Sequence, residues 1–174
     1  MKYITGFFVL IWRIWMILLA AIYVLTIGVF IVLPLASFEK TFPYIYPLIR
    51  YWGKFVLYGT GFRIDYKKLV PLDPKENYVF IANHTSVMDI MLMLTILKHH
   101  PIVFVGKAEL LKIPIFGRIF ERICIPVDRK SARSKALVYP EAKKKLDKDR
   151  SIFIFPEGGV TNDKEFKIHL DRFK

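Results

Sequence analysis

Twenty consecutive residues without a charge, from Ile14 to Leu33, constrain this chain more than any other feature of its sequence. A helix of that length, at about 1.5 Å per residue, is about 30 Å long and matches the hydrocarbon thickness of a bilayer. Arg13 lies just before the run, between Trp12 and Trp15, and both residue types favour the membrane interface. The run is too long for a cleaved signal peptide. We therefore predict a retained membrane helix, with a re-entrant or half-buried helix as the alternative.

Basic residues are more numerous after this run than before it. Lys2 and Arg13 precede it, and the basic residues that follow most closely are Lys40, Arg50, Lys54, Arg63, Lys67 and Lys68. Cytoplasmic flanks carry such an excess, so we expect the C-terminal side on the cytoplasmic face of the cell (inner) membrane. Phe42 to Phe62 is aromatic and sparsely charged, which predicts an interfacial helix that packs back on the first. These features divide the chain into a membrane region, residues 1–60, and a second region, residues 61–174.

The net charge of the chain is also relevant to which partner it binds. The chain has 174 residues, a formal charge of +12 and 54% hydrophobic residues. Basic residues near a bilayer are attracted to anionic headgroups, so membrane lipids are the expected partner. Nucleic acid is not expected, because the sequence contains no recognition motif. Cys124 is the only cysteine, which excludes an intrachain disulfide.

From Phe62 onward, short apolar runs alternate with helical patterns. Phe62 to Tyr66 alternates as a half-buried strand does, and three further runs predict buried strands at Val79–Ala82, Ile102–Val105 and Ile152–Phe155. Helical patterns cover Ser86–Lys98, Leu110–Arg122 and Ala132–Lys148, the last with Pro140 opening a second helical piece. This order predicts an α/β fold: a layered, mostly parallel sheet flanked by helices, after an N-terminal membrane-embedded helical region. Ligands of such sheets bind beyond the carboxyl ends of the strands.

The heptapeptide Asn83-His84-Thr85-Ser86-Val87-Met88-Asp89 lies where a predicted strand passes into a predicted helix. Ser86 is a natural helix N-cap, which leaves His84 at the strand end and Asp89 in the first helical turn. A carboxylate placed there can accept the imidazole N–H and leave the other ring nitrogen free as a base. Backbone N–H groups near Thr85 are candidates for stabilising an oxyanion. The plainer interpretation is that His84 ends a strand and Asp89 favours the helix N-terminus.

Four blocks in order resemble the lysophospholipid acyltransferase family of membrane glycerolipid enzymes, most closely its bacterial 1-acyl-sn-glycerol-3-phosphate acyltransferases. The first block is the histidine–aspartate heptapeptide. The others are Lys107-Ala108-Glu109-Leu110 with Pro114 and Gly117, then Val127-Asp128-Arg129, then Phe155-Pro156-Glu157-Gly158. The resemblance extends from about Phe62 to Asn162.

The resemblance implies transfer of a fatty acyl group from acyl-CoA or acyl-ACP to the hydroxyl of a lysophospholipid, with 1-acyl-sn-glycerol-3-phosphate giving phosphatidic acid. It implies direct attack by the acceptor, with His84 as general base and Asp89 orienting it. Arg129 and Lys107 would bind the acceptor's phosphate, and Glu157 would order the basic side chains or bind hydroxyls. The remaining substrate-site residues are expected to be Asn83, Ser86, Pro156 and Gly158. No cofactor and no metal are expected, since the acyl thioester is a co-substrate.

The third motif departs from the family pattern. Relatives continue with Thr-Arg-Ser, whereas this chain has Gly159-Val160-Thr161-Asn162. The absent arginine removes one expected phosphate contact, so another lysolipid, for example an aminoacyl lysolipid, stays open as the acceptor. A non-catalytic, membrane-anchored lipid-binding module is the rival from a different class.

Other reactive side chains are assigned minor roles. Cys124 is expected to be a small buried hydrophobe rather than a nucleophile. His99 and His100 are expected to be solvated at a helix end, and His169 to be inert. Enzymes that the chain resembles continue for some tens of residues beyond the third motif. We therefore expect residues 61–174 to form a C-terminally truncated acyltransferase domain, with little turnover until the missing segment is restored.

Overall fold

The computed structural model describes residues 2–157, with side chains from Gly6 onward. The chain divides into two compact units. Among the described residues, one unit contains Lys2–Pro71 together with Ile90–Lys98, and the other contains Leu72–Asp89 and His99–Glu157.

A long apolar helix opens the first unit. Helix α1, Lys2–Tyr23, continues through a π-helical segment, Val24–Val32, into a short helix α2, Leu33–Leu35. The stretch Gly6–Leu35 is long and apolar enough to cross a membrane, and it is the only such helix among the described residues. Only 17% of its most apolar part is buried, unlike the core helix of a soluble protein. The predicted apolar helix is therefore present.

Helix α3, Phe42–Gly59, runs back along α1 after a short 3₁₀ turn at Glu39–Thr41. The indole N–H of Trp15 donates to the Gly59 carbonyl at 2.9 Å, and that of Trp52 donates to the Ala20 carbonyl at 3.3 Å. The Tyr23 hydroxyl donates to the Leu48 carbonyl at 2.8 Å. Residue numbers fall along α1 as they rise along α3, so the two helices form an antiparallel hairpin.

The hairpin brings the end of α3 back beside Trp12, ten residues after the start of α1. The Trp12 indole donates to the Thr60 carbonyl at 3.1 Å, just beyond the end of α3. The predicted packing of the second helix on the first is therefore confirmed. Its interfacial position, and the choice between a full span and a re-entrant or half-buried helix, stay predictions.

The second unit is built on a four-stranded parallel sheet. Its strands are β1 (Val79–Ile81), β2 (Ile102–Lys107), β3 (Ile125–Val127) and β4 (Ser151–Ile154), in the spatial order β1-β4-β2-β3. Four helical elements follow β1 along the chain: α4 (Met88–Ile96), a 3₁₀ segment (Ala108–Lys112), α5 (Phe116–Ile123) and α6 (Ala132–Leu146). Residues of α4 from Ile90 onward belong to the first unit. The prediction of a parallel α/β sheet flanked by helices is confirmed.

The core of this unit lies around the two central strands. Val103 of β2 and Ile152 of β4 are fully buried, and Phe153 is almost so. The Phe153 ring packs against Phe80 and Phe104, with centroids 6.1 and 5.3 Å away. This aromatic layer fixes the central strands, and with them the carboxyl edge of the sheet.

Several predicted boundaries were wrong. Phe62–Tyr66 is not a strand: the segment is largely exposed, and none of the strands within residues 2–157 pairs with it to supply the ladder bonds. The helix predicted at Leu110–Arg122 is divided by Pro114, because the residue before a proline avoids helical angles; Ile113 is extended there. The helix Ala132–Leu146 instead continues through Pro140, where the freed carbonyl belongs to Ala136, an exposed residue that water can reach. Strand β3 was not predicted.

The start of α5 depends on a glycine. A Cβ at Gly117 would lie 2.2 Å from the Leu111 carbonyl oxygen, so the Gly117→Ala substitution must push backbone atoms apart. We expect a loss of about 1–3 kcal/mol in the free energy of unfolding, as for other overpacked sites. Gly6→Ala is the matched control, because a Cβ there meets nothing within 4 Å. Thermal unfolding of the two variants in detergent tests this; equal stability would contradict the packing described.

Candidate active site

Four candidate residues lie at the carboxyl edge of the parallel sheet. His84 follows β1 by three residues, and Glu157 follows β4 by three. Lys107 ends β2, and Arg129 follows β3 by two residues. Because parallel strands end at the same edge, the order of strands places these residues in the order His84, Glu157, Lys107, Arg129 along it.

His84 and Asp89 form a direct pair. The imidazole Nδ1 lies 3.2 Å from the Asp89 Oδ2 atom. The side chains are 12% and 19% exposed, so the pair is largely shielded but still open to a substrate. An ionised carboxylate can only accept a hydrogen bond. We therefore assign the imidazole proton to Nδ1, which leaves the lone pair on Nε2.

The Asp89 carboxylate is held by the backbone of the turn before it. Its Oδ2 atom accepts the N–H groups of Thr85 and Ser86, each at 2.8 Å. The Ser86 hydroxyl in turn accepts the Met88 N–H at 3.2 Å, which confirms Ser86 as the N-cap of α4. Charge-assisted bonds of this kind fix the carboxylate before any substrate arrives.

Two backbone N–H groups near the start of α4, those of Thr85 and Ser86, are already bonded to Asp89. Stabilisation of an oxyanion by backbone N–H groups at the start of this helix stays a prediction, and it would have to involve N–H groups other than these two.

Glu157 supports His84 from the neighbouring strand. Its Oε2 atom accepts the His84 backbone N–H at 2.8 Å. The pairing register explains this contact, because Ile81 lies opposite Ile154 and both candidate residues come three positions later. The His84 ring also stacks on Phe155, with centroids 4.2 Å apart and planes 21° apart. Sequence reasoning did not find either contact, although equal offsets from two apolar runs were the available signal.

The other predicted substrate residues lie near the same edge of the sheet, with different exposures. Asn83, Lys107 and Arg129 are exposed, and Pro156 is half-buried. Arg129 lies in a turn that is held by two bonds: Asp128 N–H to Ser134 Oγ and Lys130 N–H to Asp128 Oδ1, both at 2.9 Å. Gly158 lies outside the described residues. The substrate-binding roles of these residues stay predictions.

His100 differs from its predicted role. It is 5% exposed rather than solvated, and its ring meets the rings of Tyr78 and Phe80 edge-on, with centroids 5.2 and 6.0 Å away. The residue lies between α4 and β2, one residue before Pro101, and its ring is buried against the Tyr78 and Phe80 side chains at β1. His99 is exposed, as predicted. Within residues 2–157, no group of three side chains could hold a metal ion.

Comparison with known proteins identifies the family of the chain. Residues 63–173 match the family model described as Acyltransferase, and the chain therefore belongs to the Acyltransferase family. This confirms the family resemblance seen in the four sequence blocks. No solved structure gives a significant match.

Curated relatives carry two kinds of name. The chain is 29% identical over 99 residues to the lyso-ornithine lipid O-acyltransferase of Pseudomonas aeruginosa, covering 57% of this chain and 37% of that protein. It is 36% identical over 85 residues to the 1-acyl-sn-glycerol-3-phosphate acyltransferase of Streptococcus pneumoniae, covering 48% and 31%. The enzyme of the latter name from Borreliella burgdorferi is 31% identical over 118 residues, covering 64% and 44%. The chain thus matches less than half the length of each of these relatives.

The Cys124 residue is half-buried, and its thiol lies in poorly solvated surroundings. Burial raises the pKa of the Cys124 thiol to about 12, outweighing the Phe104 backbone hydrogen bond and the nearby Lys145, which both lower it. A raised pKa keeps the thiol protonated, and the protonated form is a poor nucleophile. We therefore expect slow alkylation by iodoacetamide at pH 8 in the folded protein and rapid alkylation after unfolding. Mass spectrometry of the alkylated protein measures both; equal rates in the two states would contradict the burial.

Proposed function

We propose that this chain transfers a fatty acyl group from a thioester donor, acyl-CoA or acyl-ACP, to the free hydroxyl of a lysophospholipid. The best-supported acceptor is 1-acyl-sn-glycerol-3-phosphate, which would give phosphatidic acid. The observation that carries the proposal is the His84–Asp89 pair, 3.2 Å apart at the carboxyl edge of a parallel sheet, in a member of the Acyltransferase family. The named acyltransferase relatives support the acceptor class.

The chemistry requires no covalent enzyme intermediate. His84 Nε2 takes the proton of the acceptor hydroxyl as the oxygen attacks the thioester carbonyl carbon. The carbonyl electrons move onto oxygen; when they return, the carbon–sulfur bond breaks. The departing thiolate then takes the proton from Nε2. Asp89 stabilises the imidazolium that exists between these two proton transfers.

The phosphate of the acceptor would lie toward the far end of the same edge. Three strand spacings of about 4.8 Å separate β1 from β3, roughly 14 Å between backbones. The long side chains of Arg129 and Lys107 can reach into that interval from the β3 and β2 ends. A guanidinium binds phosphate through two parallel hydrogen bonds, whereas an ammonium acts as a point charge. A glycerol phosphate headgroup would therefore extend from His84 toward Arg129.

A second acceptor is favoured by a separate observation. The third motif carries Gly159-Val160-Thr161-Asn162 in place of the family's Thr-Arg-Ser, and one relative is named for lyso-ornithine lipid. An acceptor without a phosphate would not need the absent arginine. Parallel assays with lysophosphatidate and lyso-ornithine lipid decide between the two acceptors.

Attachment to a bilayer would bring the site to its lipid substrates. The exposed apolar face of α1 and the antiparallel α1–α3 hairpin support insertion into one leaflet. Arg13 and the basic residues after α3 then lie at the same end of the hairpin, and the positive-inside tendency places that end in the cytoplasm. The cell membrane and its cytoplasmic face are the proposed location.

Removing the base tests the mechanism. Loss of a positioned histidine costs about 10²–10⁴-fold, so His84→Ala should lower kcat by at least about a hundredfold. His99→Ala is the matched control, since His99 is exposed and should leave turnover unchanged. The measurement is transfer of a labelled acyl group to lysophosphatidate by the full protein in proteoliposomes. Near-normal turnover by a folded His84→Ala variant would refute the assignment of the base.

Removing the guanidinium tests the acceptor site. Arg129→Ala should raise the KM for lysophosphatidate by about tenfold or more and leave the donor KM nearly unchanged, because one charge-assisted contact is lost. Arg129→Lys should restore part of the loss, since a lysine cannot reproduce both bonds.

Lys143→Ala controls for charge. Helix α6 returns from β3 to β4, so the exposed Lys143 near its end lies toward the opposite edge of the sheet. Equal increases in both KM values for Arg129→Ala, or the same increase for Lys143→Ala, would count against a phosphate contact.

A further inference from the structure

The C-terminal end of α4 is held by side chains of α3, within the first unit. The Arg50 guanidinium donates from Nε to the Leu94 carbonyl at 3.0 Å and from Nη2 to the Thr95 carbonyl at 3.2 Å. The Tyr46 hydroxyl donates to the Leu97 carbonyl at 2.8 Å. Carbonyls at this end of a helix have no partner within the helix itself. The α3 side chains supply the missing donors.

The same face of α3 brings the two helices close together. Tyr46, Arg50 and Gly53 follow one another at helical spacing on that face. A Cβ at Gly53 would lie 3.0 Å from the Leu94 Cβ atom and 3.2 Å from the Met91 carbonyl oxygen. Leu94 is 1% exposed. The contact is therefore close-packed and leaves little room for α4 to slide.

Arg50 suits this position electrostatically as well as geometrically. The C-terminal end of a helix carries a partial negative charge, and a cation there stabilises it. Two donors on one planar group, bonded to two successive carbonyls, also fix the rotation and the axial position of the helix. An apolar contact alone would permit the rotation and the axial position of α4 to vary.

Helix α4 continues from this clamp to the dyad. It is one uninterrupted helix, Met88–Ile96, with Asp89 in its first turn. Leu94 is five residues further on, roughly 8 Å along the axis. The Nδ1–Oδ2 distance of 3.2 Å already lies at the long end of the hydrogen-bond range, so a small shift of α4 would break the contact.

We propose that Arg50 is a positioning residue for the His84–Asp89 pair: it caps α4 and so fixes the place of the Asp89 carboxylate. The role in turnover rests on the proposed acyl transfer. Through this role helix α3 becomes part of the catalytic framework, although Arg50 does not touch the reacting atoms.

Kinetics of four variants test this role. Arg50→Gln should lower kcat by about tenfold or more while both KM values change by less than about threefold, because the base is misplaced and the substrates still bind. Arg50→Lys should recover part of the loss. Tyr46→Phe, which removes one hydroxyl donor, should lower kcat less. Lys54→Gln is the control: it removes the same charge from the same helix, and its ammonium lies 5.9 Å from the Tyr51 ring centroid.

A second readout reports on the dyad without turnover. In ¹⁵N-histidine spectra of the protein in bilayers, with the His84 signals assigned by His84→Ala, the wild type should show the proton on Nδ1. Arg50→Gln should shift His84 toward the Nε2–H form, and Lys54→Gln should not. If the Arg50→Gln variant does not fold, the His84 tautomer in Arg50→Lys and in Tyr46→Phe is compared with that of the wild type instead.

The outcomes separate the two proposals. Wild-type kcat and tautomer in a folded Arg50→Gln variant, or equal losses in Lys54→Gln, would overturn the positioning role. If the wild-type protein transfers no acyl group to any lysolipid, the proposed function fails, and the tautomer comparison still decides the role of Arg50.

Discussion

The hydrogen bonds that converge on the Asp89 Oδ2 atom are the constraint on which the site depends. Two backbone N–H groups at 2.8 Å and the His84 Nδ1 at 3.2 Å share this oxygen. The backbone donors fix the carboxylate, and the carboxylate fixes the imidazole. The imidazole is therefore oriented by the turn itself. Because the Thr85 and Ser86 N–H groups are bonded to Asp89, they are not free to meet an oxyanion.

The sheet and the helices support this turn from different directions. Parallel pairing of β1 with β4 places Glu157 beside the His84 backbone, and Phe155 beside its ring. Helix α4 carries Asp89 at one end and is capped at the other by Arg50. Under the proposed role of Arg50, a substitution that displaces α4 lowers turnover although the substituted residue does not touch the dyad.

Much of this arrangement could be predicted from the sequence, because it depends on local patterns. The apolar runs predicted β1, β2 and β4, and Ser86 with Asp89 marked the start of α4 correctly. The errors arose where the local structure depends on residues that are distant in sequence. Phe62–Tyr66 alternates like a strand but pairs with no strand in the part of the chain that the structure describes. Strand β3 is three residues long with a central proline, so its pattern is too short to recognise. The bonds from Glu157 to His84 and from Arg50 to α4 join residues distant in sequence, so no local signal reveals them.

A single-turnover experiment tests the central claim, direct transfer by the His84–Asp89 pair, most directly. The full protein in proteoliposomes is mixed with a radiolabelled acyl thioester and excess lysolipid, then quenched at intervals. The account predicts that label moves from the thioester to the lipid product without a protein-bound phase. Label that accumulates covalently on the protein before product forms would contradict it, as would release of free fatty acid without acylated lipid.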